Sequence, residues 1–264
     1  MSRAALSKES GFSLIELLVA VALFTVLLGA VFGLLNVSQQ RYKMESEFLD
    51  SFQTARLAMD QMTRDIHSAG YPPLNSFTSA AAAARPQLVA VPFAWAPGYS
   101  ATPCVVGAGC TTPSSFDLIV ETDLDPQNNN GVEWVRYQLQ GTTLFRGVAT
   151  KTAGADPATA TAAVLVPYVD NVMNNTTTAQ ISFLRTYYPT MFPGNTPVPI
   201  FTYTCETSGL PQLCASAAAP FNQPPSIREV NITLIVLAPN PDPQNGQPRA
   251  VTLTGLVRRV NPNQ

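Results

Sequence analysis

Residues 8–35 read KESGFSLIELLVAVALFTVLLGAVFGLL. From Phe12 to Leu35, sixteen of 24 residues are Leu, Ile, Val or Phe, and Glu16 is the one charged side chain. As a helix this run would measure roughly 36 Å, enough to cross a hydrocarbon layer of about 30 Å. Its apolar side chains favour insertion by roughly 7 kcal/mol, against about 3 kcal/mol for a carboxylate at the centre, and Glu16 lies near one end where that cost is lower. The run is too long for the core of a cleaved secretory signal, and the following LLNVSQQRYK (34–43) has no clear small-residue cleavage site. A plain signal anchor would explain the length but not Glu16. An ionisable group in a membrane segment is read first as functional.

The rest of the chain is different in character. Of 264 residues only 12% are charged, about half the usual share, while 46% are apolar and 23 are proline. The net charge of −2 gives no basic field to attract nucleic acid, which argues against a nucleic-acid partner. One histidine, His67, excludes any two-histidine metal motif. Arg3 and Lys8 before the apolar run are balanced by Arg41 and Lys43 after it, so basic residues do not orient it. Cys104, Cys110, Cys205 and Cys214 do. An even number of cysteines behind an export-type N-terminus points to disulfides in an oxidising compartment, which places the bulk of the chain outside the cytoplasm. Three connectivities are open; the local pairings 104–110 and 205–214 are expected, each closing a short loop worth about 2–3 kcal/mol. A zinc site on the four cysteines is disfavoured because neither spacing is the usual one.

Beyond Leu35 the helical pattern continues. Phe48, Phe52, Ala55, Met59, Met62, Ile66 and Ala69 recur at alternating steps of four and three, one apolar stripe that predicts packing against a globular domain. Met59 and Met62 are read as core. Gly70, Pro72 and Pro73 supply the stop, and His67 falls near the helix C-terminus. The expected organisation is 1–11 as a short polar leader, 12–35 as a membrane helix, 36–70 as its amphipathic continuation, and 71–264 as a β-rich domain.

In that last part, strands are predicted at 87–94, 116–122, 132–140, 143–149, 163–169, 179–188, 227–237 and 250–260. Val135, Tyr137 and Leu139 share one face of their strand, as do Val251, Leu253 and Val257 of theirs. Gln140-Gly141-Thr142 is a predicted hairpin turn. Ala- and Pro-rich stretches at 78–86, 152–163 and 215–225 read as surface loops. The fold class is α+β, a long N-terminal helix packed on antiparallel sheet. Asp123, Asp125, Asn128, Asn129 and Glu133 crowd one turn. They form a weak calcium candidate (Asp123, Asp125, Asn129, Glu133) because Gly131 stands too late for an EF-hand loop, and a solvated turn explains the same residues. Nor does any second feature turn these acids into a hydrolase pair. Asn174, Asn175 and Asn231 begin Asn-x-Ser/Thr triplets, which carry little weight alone. Arg258 and Arg259 read as an exposed pair whose side chains leave a strand on opposite faces.

The junction K-E-S-G-F-S-L-I-E-L-L-V-A at 8–20 resembles the N-terminus of the type IV prepilin family, which includes pilins and type II secretion pseudopilins. The resemblance implies cleavage after Gly11 by prepilin peptidase, N-methylation of Phe12, and a role for Glu16 in assembly, where it would pair with the new amine of a neighbouring subunit. A buried carboxylate costs several kcal/mol unless paired, which gives that pairing its force. Gly29 and Gly33 form a G-x-x-x-G that allows close helix contact or local melting. Many pilins carry a proline near Gly33, where this chain has glycine.

RLAMDQMTRDIHSAGY at 56–71 and FDLIVETDLD…VEWVRYQLQGTTLFR at 116–146, the latter a hairpin ending in an exposed Arg, resemble PilW-type minor pilins and J-type minor pseudopilins. The resemblance implies a structural minor pilin, not an enzyme, that primes assembly and sits at the pilus tip, with no cofactor. Its partners would be major and minor pilins, prepilin peptidase and an inner-membrane assembly platform. Its location would be the bacterial inner membrane as a single-pass protein with the C-terminal domain in the periplasm, then the pilus at the cell surface. The alternatives are a J-type pseudopilin of type II secretion, or a tip-located adhesin or DNA-uptake module.

Overall fold

The computed structural model describes residues 11–99, 101–127, 131–242 and 244–261. The chain divides into two units, Met1–Ser46 and Glu47–Gln264. In the first unit the described residues from Leu14 onward are helical, the beginning of α1 (Leu14–His67), and their apolar side chains face outward along its length. Among the described residues this is one helix long and apolar enough to cross a membrane.

The second unit begins within α1 and holds the core. Ala55, Ala58, Met59, Met62 and Ile66 of α1 are buried, with Phe48 and Phe52 half-buried at the start of the stripe. They pack in one cluster with residues of two antiparallel sheets. The first has strand order β1-β2-β3-β4-β5: β1 (Phe93–Ala94), β2 (Asp117–Thr122), β3 (Glu133–Gln140), β4 (Thr143–Thr150) and β5 (Val166–Val169). The second has order β7-β6-β8-β9: β6 (Phe201–Cys205), β7 (Gln212–Leu213), β8 (Ile227–Leu237) and β9 (Ala250–Arg258). Leu118, Val120, Val135, Tyr137 and Leu144 from the first sheet meet Phe201, Tyr203, Ile232, Leu234 and Val257 from the second in one core. Gly255 lets α1 pack tightly on β9: a Cβ there would stand 3.1 Å from the Met59 terminal methyl. The helix ends at His67, and Gly70 follows at φ +80°, a left-handed conformation that glycine adopts at no steric cost.

Each sheet also buries part of its other face. Ile119 and Trp134 pack with Ala94 against Tyr99 and alanines of α3 (Pro157–Ala162). Ile235 packs against Ile181 and Leu184 of α4 (Thr178–Tyr187), with Met173 and Phe192. Asn174 ties this layer down. Its Oδ1 accepts from the Ile235 N–H at 2.8 Å, while its Nδ2 donates to the carbonyls of Thr233 at 2.8 Å and Val198 at 3.1 Å.

The β3–β4 hairpin turns at Gly141-Thr142 as predicted, with Gln140 opposite Thr143. Several expectations fail for identifiable reasons. The stretch 179–188, rich in Ile, Phe, Thr and Tyr, is α4 and not a strand. Thr177 caps it by accepting from the Gln180 N–H, and Ile181 and Leu184 place the buried positions three apart. Two of the expected loops contain short helices. Thr78 caps α2 (Ser79–Ala84), and Asp156 caps α3, whose first turn holds Pro157. Strands β6 and β7 lie in a stretch where none was predicted. The pattern FTYTC alternates buried and half-buried residues, but it is only five long and flanked by prolines. The strand expected over 87–94 shrinks to Phe93–Ala94.

Candidate assembly site and buried ion pairs

The first candidate site is the start of α1. Ser13 stands at the N-cap: its carbonyl accepts the Leu17 N–H at 3.2 Å, the first bond of the helix. Its hydroxyl oxygen accepts the Glu16 N–H at 3.3 Å, and its own N–H donates to Glu16 Oε2 at 2.9 Å. This is a reciprocal capping box, S-x-x-E, and it satisfies two of the orphan donors that every helix start leaves. The signal was present in the sequence as Ser13 three residues before Glu16, but the position of Glu16 within an apolar run drew attention to its charge instead. Glu16 also borders a shallow groove on the same helix face, lined by Ile15, Val19, Ala20 and Leu23. Phe12, just before the cap, is 92% exposed, and Gly11 has open space around it.

Among the described residues of the second unit, three buried acids that no motif had marked, Asp65, Asp117 and Glu121, form ion pairs. Asp65, on the buried face of α1, accepts from the Tyr137 hydroxyl at 2.5 Å, from Arg146 Nη2 at 3.1 Å and, through Oδ1, from Gln61 Nε2 at 2.7 Å. Arg146 is therefore not the exposed end of a hairpin. Alternation along β4 puts it on the same face as Leu144, directed at the helix. Burial pulls its guanidinium towards the neutral form, but Tyr137 and Asp65 outweigh that and hold it charged. Desolvation, followed by the nearby Asp65 charge, pushes the Tyr137 phenol well above its usual value.

On the opposite face of the first sheet, Arg136 grips Asp117 with two bonds, Nε to Oδ1 at 3.0 Å and Nη2 to Oδ2 at 2.6 Å. Burial raises the Asp117 pKa, opposed by Arg136 and Gln138. Glu121 is fully buried and accepts four bonds: from the Tyr99 hydroxyl, Trp134 Nε1 at 2.7 Å, Lys151 Nζ at 2.7 Å and the Val91 N–H at 2.8 Å. Lys151 also donates to the Val89 carbonyl at 2.8 Å. These donors fix the segment 89–99 to the sheet, and every ionised group in the cluster has a partner, which is the condition for burying charge.

The cysteines form the two local disulfides, Cys104–Cys110 and Cys205–Cys214. In the acidic turn, Glu133 Oε2 accepts the Leu124 N–H at 2.9 Å, and Asp123 Oδ1 accepts the Asp125 N–H at 3.1 Å. Burial, ahead of the neighbouring acids Asp123 and Asp125, raises the Glu133 pKa. Asn128 and Asn129 lie outside the described residues, and among the described residues no three His, Cys, Asp or Glu side chains gather as metal ligands. Arg258 is exposed but Arg259 is buried, so the two are not an exposed pair. Their departure to opposite sides follows the strand alternation.

Residues 6–32 match the family model described as the prokaryotic N-terminal methylation motif. The chain opens with a prepilin methylation motif. Within that motif lie Gly11, Phe12, the Ser13–Glu16 capping box and all but the last three residues of the apolar run. Among curated proteins none matches the chain. Among solved structures, a type IV-like pilin from Thermus thermophilus aligns with 11% identity and a TM-score of 0.37, over 80% of this chain and 97% of that one. The prepilin motif and the apolar helix together fit membrane anchoring.

Proposed function

We propose that the chain is a minor pilin of a type IV pilus, PilW-like, with a structural role. It is cut after Gly11, methylated at Phe12, held in the inner membrane by α1 with its sheet domain in the periplasm, and then incorporated at or near the pilus tip with other pilins. The observation that carries this reading is the prepilin methylation motif at 6–32, with Glu16 the fifth residue after the Gly11–Phe12 junction. The surrounding geometry supports it. Gly11 and Phe12 precede the helix and are exposed, so a peptidase reaches the junction without unwinding α1. Glu16 is exposed on a helix whose neighbouring side chains are apolar, so an amine from a neighbouring subunit can reach its carboxylate. Length and two disulfide-closed loops favour a minor over a major subunit.

Mass spectrometry of the protein purified from its native membrane tests the reading. The expected N-terminus is Phe12, heavier by one methyl group. A chain starting at Met1, or one cut beyond residue 36, would overturn it. Co-purification with pilus subunits rather than secretion components separates a pilin from a J-type pseudopilin.

A further inference from the structure

The two disulfides differ in access. Cys205 and Cys214 belong to the main core and are 0% and 1% exposed. Cys104 and Cys110 are half-buried, at the ends of a loop whose residues 107–109 are exposed. This outer loop is wound on one atom. The Val105 carbonyl accepts the N–H groups of Ala108, Gly109 and Cys110 at 3.2, 2.9 and 3.1 Å. Val106, next in the chain, is turned inward and buried in the same core as Cys205 and Cys214.

The outer loop rests on the segment that carries the inner disulfide. Val106 N–H donates to the Asn222 carbonyl at 2.9 Å, and a Cβ on Gly107 would stand 3.6 Å from the Ala215 Cβ. Val106 and Gly107 line one cavity together with Leu213, Cys214 and Ala215. The Cys104–Cys110 bond keeps the loop wound, and the wound loop keeps Val106 in place.

We propose that the 104–110 loop is a redox-released lid, so that the disulfides open in a fixed order: Cys104–Cys110 first, and Cys205–Cys214 only after the lid has lifted. Thiol–disulfide exchange requires a thiolate to reach a sulfur. At the outer pair, one thiolate of a dithiol reductant attacks one sulfur, and the other sulfur leaves as a thiolate. The reductant's second thiolate then displaces the first cysteine. The dithiol is oxidised to its own disulfide, and Cys104 and Cys110 together gain two electrons and two protons. Without its crosslink the short loop regains conformational freedom, Val106 withdraws, and the inner sulfurs become reachable. The same exchange there opens the loop that joins β6 to β7. Mild reduction therefore stops at the lid and leaves the β6–β7 hairpin closed. This inference does not depend on the pilin reading.

Limited reduction of the full-length protein in detergent with dithiothreitol, followed by trapping with N-ethylmaleimide and peptide mass spectrometry, tests it. All four cysteines are in disulfides, so every labelled thiol reports a bond that has opened. In wild type, label is expected on Cys104 and Cys110 in molecules whose Cys205–Cys214 bond is intact, without the converse species. Replacing Cys104 and Cys110 by serine should speed reduction of Cys205–Cys214 about tenfold, on the order of what a local opening contributes. Val106→Ser should speed it several-fold with the outer bond still closed. Ile181→Ala destabilises the separate cluster around α4 and should leave that rate unchanged, which distinguishes lifting of the lid from general loosening. Three results would each overturn the proposal: label on Cys205 and Cys214 before or together with the outer pair, no acceleration in the double-serine variant, or equal acceleration by Ile181→Ala.

Discussion

The Tyr137 hydroxyl donates to the Asp65 carboxylate at 2.5 Å, joining α1 to β3 across 72 positions of sequence. Arg146 completes the group from β4, so one acid on the helix is read by two adjacent strands. Asp65→Ala would leave Arg146 and Tyr137 without their acceptor inside the domain. A loss of about 3 kcal/mol is expected, since removing one member of a buried pair costs more than the pair contributes. Urea unfolding measures it, and Asp65→Asn, which keeps an acceptor, should cost less than Asp65→Ala.

Alkaline pH acts on the same group from the other side. Burial raises the pKa of Tyr99, Tyr137 and Tyr203 above the phenol's usual value, with a nearby acid adding to the shift in each case. A raised pKa means that the folded state holds its proton more tightly than the unfolded chain. The contribution is complete below the unfolded value of about 10 and declines as pH rises towards the folded value, by up to about 1.4 kcal/mol per pH unit for each tyrosine. Unfolding free energies measured between pH 8 and 11 should fall over the upper part of that range. Tyr137→Phe should flatten the slope while lowering stability at pH 8.

At the other end of α1, Ser13→Ala removes the hydroxyl that accepts the Glu16 N–H. About 1 kcal/mol of helix-start stability should be lost. Hydrogen exchange in lipid bilayers is expected to show faster exchange at Glu16 with no change at Ala55 to Ile66. Uniform behaviour at both places would contradict the capping box.

Replacing Cys205 and Cys214 by serine opens a loop with a sequence separation of nine residues. The domain should lose about 2.5 kcal/mol on loop-closure grounds. Thermal unfolding of the double variant against wild type measures it. The comparison is made under non-reducing conditions so that Cys104–Cys110 stays closed.

The long helix was legible because its signals are local: a run of apolar residues, then a stripe at helical spacing, then Gly70 and two prolines. The local disulfide pairings and the Gly141 hairpin were legible for the same reason. Strand β4 shows where legibility ends. Its inward face reads Leu144, Arg146, Val148, and nothing local says whether the arginine faces water or a partner. The partner is Asp65, which sits in the helix sequence one residue before Ile66 and looks like an ordinary surface acid. Likewise Asp117, Glu121, Arg136 and Lys151 gain their meaning only when the β2–β3–β4 register and the α3 layer enclose them. Helix α4 was misread because β-branched and aromatic residues suit strands, and packing against Ile235 overrode that preference. The capping box could have been found, since it requires only Ser13 and Glu16.

Asn174 shows how folding restricts chemistry on the chain. Its triplet with Asn175 and Thr176 has the form that an oligosaccharide transferase reads, and its amide nitrogen is the atom such an enzyme would derivatise. That nitrogen is committed to two carbonyls in a fully buried side chain. Sugar on Asn174 and the finished fold exclude each other. Any glycan on the folded domain must therefore be borne by exposed positions such as Asn175 or Asn231.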